Sequence, residues 1–75
     1  MKYFVVETTK VNGQFACGIT VKDDLNEALM TFHQIRASAL ANSDVVYNLT
    51  AILGEKGMTI AMEHHGDTDS EIQSE

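Results

Sequence analysis

Between Asp24 and Asn42 the chain carries good helix formers and neither glycine nor proline. That stretch limits what the rest can become. Ala and Leu, both favourable in helices, recur through it. Asp24 stands where a side-chain oxygen accepts from the free amides of a first turn. Glu27 follows three residues on, the spacing of a capping box. Both acids suit the positive end of the helix dipole. Asn42 is expected to close the helix in the left-handed conformation it tolerates. At about 100° per residue, Leu25, Ala28, Leu29, Phe32, Ile35, Ala39 and Leu40 share one face, with Glu27, Thr31, Gln34 and Ser38 opposite. A helix with one apolar face needs an apolar surface to lie on, and the flanking segments must supply it.

Before the helix, residues 2–9 are rich in Val, Thr and aromatics and read as a strand. Asn12-Gly13 then signals a tight hairpin, because a type I′ turn needs positive φ at both central residues. A two-residue loop pairs Val11 with Gln14, Thr8 with Cys17, Val6 with Ile19 and Phe4 with Val21. One face of this hairpin collects Phe4, Val6, Thr8, Phe15, Cys17, Ile19 and Val21, and it is expected to be the core side. Cys17 is then expected to pack as a small buried hydrophobe. After the helix, Val45–Leu53 and Met58–Met62 read as a second hairpin. A three-residue loop would pair Ile52 with Ile60 and put Asn48 and Thr50 beside them. A four-residue loop pairs Leu53 with Met58, Ala51 with Ile60 and Leu49 with Met62. The second separates apolar from polar residues better and is preferred. His64-His65 ends the pattern.

These elements make an α+β, two-layer ββαββ domain over residues 1–65, with one helix covering one face of an antiparallel four-stranded sheet. Strand order 2-1-3-4 keeps every neighbouring pair antiparallel. Residues 66–75 hold a single large apolar side chain, Ile72, and are expected to form a disordered acidic tail.

The net charge is −6, but five of the acids lie in residues 63–75. Residues 1–62 hold six acids against five bases, a net of −1. Direct nucleic-acid binding is therefore not expected of the folded part. Cys17 is the only cysteine, which excludes an internal disulfide and suits a reducing, cytoplasmic setting. No apolar run has the length of a membrane span or a signal peptide.

Met1-Lys-Tyr-Phe-Val-Val-Glu-Thr-Thr9, Leu25-Asn-Glu-Ala28 and Phe32-His33, followed by a glycine-containing second hairpin, resemble a group of very short uncharacterised bacterial and mobile-element proteins with a ββαββ pattern. The resemblance covers most of residues 1–62. It implies a phage or mobile-element accessory role and brings no established activity.

Chemistry-bearing residues are sparse. His64 and His65 are adjacent on a strand, so their rings diverge, and no metal site is expected there. No cofactor and no catalytic residue is expected. Arg36 falls within the apolar stripe of the helix. Either its stem packs while the guanidinium escapes at the sheet edge, or it pairs with a carboxylate on a partner or ligand. His33, on the helix flank, is either a satisfied boundary residue or a ligand contact. The sheet face expected to lie outside is flat and poor in charge, with Thr20, Ile52 and Ala61 near its centre. Its character points to association with a second copy. The reading is a non-enzymatic interaction protein, a homodimer with a further protein partner, which binds through Arg36, His33, Thr20, Ala61 and Ile52. The alternatives are a phage- or mobile-element-encoded inhibitor of a host defence system and, last, a small enzyme.

Overall fold

A computed structural model describes residues 1–66. The elements are β1 (Tyr3–Val11), β2 (Gln14–Lys22), α1 (Leu25–Ala41), β3 (Val45–Gly54) and β4 (Thr59–Gly66). The four strands form one antiparallel sheet in the order β2-β1-β3-β4, and α1 packs on β3 and β1. This is the expected ββαββ domain with the expected strand order. Of the expected tail 66–75, Gly66 ends β4, and residues 67–75 lie outside the described residues.

The first hairpin follows from its turn. Asn12 and Gly13 have φ of 54° and 80°, the positive pair that a type I′ turn requires. The register is the expected one, with Val11 opposite Gln14, Thr8 opposite Cys17 and Val6 opposite Ile19. The start of the helix also follows from sequence: the Glu27 amide donates to the Asp24 carboxylate at 3.3 Å. The end does not. Asn42 is extended, with φ −97° and ψ 111°, rather than left-handed. Its side-chain oxygen instead accepts from the Asp44 amide at 2.9 Å, making a local turn into β3.

The second hairpin differs from both expected registers. Ile52 pairs with Ala61, Ala51 with Met62 and Leu49 with His64, and an irregularity falls between Ile52 and Leu53. Within the longer turn the Gly54 amide donates to the Met58 carbonyl and the Gly57 amide to the Gly54 carbonyl, with φ of 91° at Gly57. The strand consequently continues through His64 and His65 to Gly66.

The largest correction concerns which face the helix covers. The buried cluster is Val5, Ala28, Phe32 and Ile52, with Tyr3, Leu29, Ile35, Ile60 and Ala61 packed around it. Val5, Thr50 and Ile52 belong to the face expected outside. Phe4, Val6, Cys17, Ile19 and Val21, expected inside, belong to the uncovered face. Cys17 is exposed, and so is Leu40 on the helix. The helix stripe explains the choice. At its centre stand Arg36 and the small Ala28 and Ala39, all buried. Arg36 requires polar acceptors opposite it, and the face with Asn48, Glu63 and His65 offers them.

Candidate interaction surface

Under α1 the sheet carries a polar cluster. Arg36 and Asn48 are buried together: Arg36 Nη1 donates to Asn48 Oδ1 at 2.7 Å and to the Asn48 carbonyl at 3.4 Å. The same nitrogen lies 3.0 Å from His65 Nδ1. Arginine only donates, so Nδ1 is the acceptor in this contact. Arg36 Nε reaches Glu63 Oε1 at 3.4 Å. Thr50 Oγ1 donates to Asn48 Oδ1 at 2.8 Å, and Asn48 Nδ2 donates to Thr9 Oγ1 at 2.9 Å. No buried side-chain nitrogen or oxygen among the described residues lacks a partner. Arg36 is thus held inside the domain, at the junction of α1, β3 and β4.

That placement changes the roles expected from sequence. Ile52 is fully buried in the core, and Ala61 packs against it. Thr20 is half-buried on the same side of β2. These three residues lie on the face of the sheet on which α1 packs. His33 is exposed on the helix, edge-on to Phe32 at 5.3 Å between ring centroids. The structure therefore does not bring His33, Arg36 and Thr20 into one site. His64 and His65 do diverge, the first exposed on the open face and the second half-buried beneath the helix.

Asn48 and Thr50 are what the sequence reading missed. The signal was present: an arginine inside a helix's apolar stripe calls for polar groups on the facing strand. Penalising the register that put Asn48 and Thr50 inward removed the match.

The open face of the sheet is the second surface. Alternation along the paired strands gives it Phe4, Val6, Thr8 and Lys10 from β1, and Phe15, Cys17, Ile19 and Val21 from β2. From β3 come Tyr47, Leu49, Ala51 and Leu53, and from β4 Met62 and His64. Phe15 is 62% exposed, Ile19 68%, Val21 53% and Met62 56%. Phe15 meets Tyr47 edge-on at 6.2 Å, with the Lys10 ammonium 5.4 Å from the Phe15 ring centre. Thr8 Oγ1 lies 3.5 Å from the Cys17 sulfur. Among the described residues the face carries no carboxylate, and Lys10 stands at one end of it.

Where β2 leads into α1, Lys2 pairs with Asp23 on the exposed surface. That hydrogen bond, and after it the attraction of the two charges, raises the Lys2 ammonium above its ordinary pKa and lowers the Asp23 carboxyl below its own.

Among the described residues no helix is long and apolar enough to cross a membrane. No protein-family model, curated protein or solved structure matches the chain.

Proposed function

We propose that the protein is a non-enzymatic interaction module that works as a homodimer, with the open sheet faces of two copies packed against each other. The observation that carries this reading is the continuous apolar surface on the side away from α1. Monomeric soluble proteins rarely expose a contiguous apolar patch beyond a few hundred Å².

The area suffices. Strands lie about 4.8 Å apart and rise about 3.3 Å per residue. Four strands, with β1 and β2 nine residues long, therefore give a face of about 570 Å². Two copies would bury about 1,100 Å², above the roughly 1,000 Å² that a specific interface requires. Sheets stacked about 10 Å apart interdigitate the side chains of both inner faces.

A second copy suits the face better than an unlike partner. A two-fold dimer uses one self-complementary patch twice. Among the described residues the patch has no carboxylate and one lysine, little charge pattern with which to select a different protein. Lys10 sits at the end of the face, so a two-fold axis through the centre keeps its two copies apart. The helices would then lie outermost, available to a further protein partner.

Sedimentation equilibrium over a concentration series tests this. The native chain is expected to be dimeric, and Ile19→Glu or Val6→Glu to give a folded monomer. A native chain that is monomeric throughout, or dimers unaffected by both changes, would overturn the reading.

A further inference from the structure

We propose that the cleft beside the C-terminal half of α1 binds a small aliphatic amine, with the Glu7 carboxylate holding its ammonium group. The cleft has a volume of about 290 Å³ and opens between α1 and the covered face of β1. Its lining comes from β1, from α1 and the turn after it, and from β3. Glu7 leans into the space left by Gly18, where an added methyl would stand 3.6 Å from Glu7 Cγ.

Among the described residues Glu7 is the only charged one lining the cleft. It is half-buried and enters neither of the ion pairs among the described residues. The nearby cation, Arg36, is engaged by Asn48, His65 and Glu63. A partly desolvated carboxylate without a counter-charge gains most from a cation that also donates hydrogen bonds. Ile35 and Ala39 supply an apolar wall for a carbon chain, and Gln34 and Ser38 supply acceptors at the mouth. The volume lies at the small end of ligand sites, which run from about 300 to 1,000 Å³. That size suits a short stem rather than a ring system. The same alkylammonium is presented by a free amine and by a lysine side chain.

The test is an amide-resolved NMR titration of the full chain with 1,4-diaminobutane, with a Gly-Lys-Gly peptide and, as a control of opposite charge, with butyrate. Saturable shifts are expected for the amides around Glu7, Gln34 and Ser38, with either ammonium probe and not with butyrate. A tighter response to the diamine assigns the site to free amines, and a tighter response to the peptide assigns it to lysine side chains. Glu7→Gln should weaken binding about tenfold or more, the loss of one charge-assisted hydrogen bond. Ser38→Phe, at an exposed helix position, should block the cleft, while Glu55→Gln should leave binding unchanged. The same spectra report whether each variant is folded. Shifts that rise linearly without saturating, binding that survives Glu7→Gln, or saturable binding of butyrate would overturn the proposal.

Discussion

Arg36 on α1 and Asn48 on β3 are buried together and joined by a 2.7 Å hydrogen bond, the shortest contact of the guanidinium. Their dependence on each other is unequal. Without Arg36, Asn48 Oδ1 still accepts from Thr50 Oγ1 and Asn48 Nδ2 still donates to Thr9. Without the Asn48 side chain, a buried cation keeps the His65 ring, the main-chain carbonyl of residue 48 at 3.4 Å and a long contact to Glu63, whose side chain is 59% exposed.

Asn48→Leu should therefore destabilise the fold by about 1.5–3 kcal/mol, the range for losing a hydrogen bond to a charged group. Arg36→Met should cost about 1–3 kcal/mol. The double variant should be more stable than the two losses added together, with a coupling of about 0.5–3 kcal/mol. Urea unfolding of the four proteins measures this. Equal and additive losses would show that the contact contributes little.

The two sheet faces should answer charge differently. Ala61→Glu places a carboxylate beside the Ile52 core and should cost about 1–3 kcal/mol in thermal or urea unfolding. Ile19→Glu, on the open face, should leave the monomer's own fold within about 0.5 kcal/mol of the unmodified monomer, as expected for a surface position. The comparison needs dilution to a concentration at which both are monomeric. The reverse order of stabilities would mean that the open face is the true core.

Gly66 ends β4 opposite Tyr47 with φ of 109°. A Cβ there would stand 2.1 Å from the Val46 carbonyl oxygen, which is backbone and has nowhere to retreat. Gly66→Ala should detach the end of β4, at a cost of about 1–3 kcal/mol. Amide exchange at His64 and His65 should accelerate, and the His65 contact to Arg36 should weaken with it. Unchanged exchange at both histidines would count against this.

Lys2 and Asp23 predict a small pH dependence with a defined sign. The carboxyl of Asp23 is lowered in the folded state. Its contribution is present above the unfolded-state pKa and is lost as pH falls through the lower folded value. The Lys2 ammonium is raised, so its contribution is present below the unfolded-state pKa and lost as pH rises through the higher folded value. In an NMR titration, Lys2→Met should move the Asp23 midpoint upward, and added salt should do the same in the native chain because the pair is exposed. An Asp23 midpoint unmoved by Lys2→Met would remove the pair.

By itself the sequence determined the local elements and their connection. Asn12-Gly13 dictates a tight turn through its own backbone preferences, and the register of β1 with β2 follows within a few residues. Asp24 caps the helix because its carboxylate reaches amides in the first turn. Four strands joined in this order, with one helix between the hairpins, leave few ways to keep every neighbouring pair antiparallel, and the observed order is the one read from the chain. Only the tertiary structure decided which face the helix covers and where β4 pairs with β3. Both are choices between surfaces of similar composition, and hydrophobicity alone ranks them wrongly. The face with Phe4, Val6, Ile19 and Leu49 is the more apolar, yet α1 lies on the face with Val5 and Ile52 because that face also carries Asn48 and Thr50. A buried guanidinium without acceptors is costly, and on this side Arg36 finds Asn48, His65 and Glu63. The apolar face left open by that choice is the surface on which the proposed dimer rests.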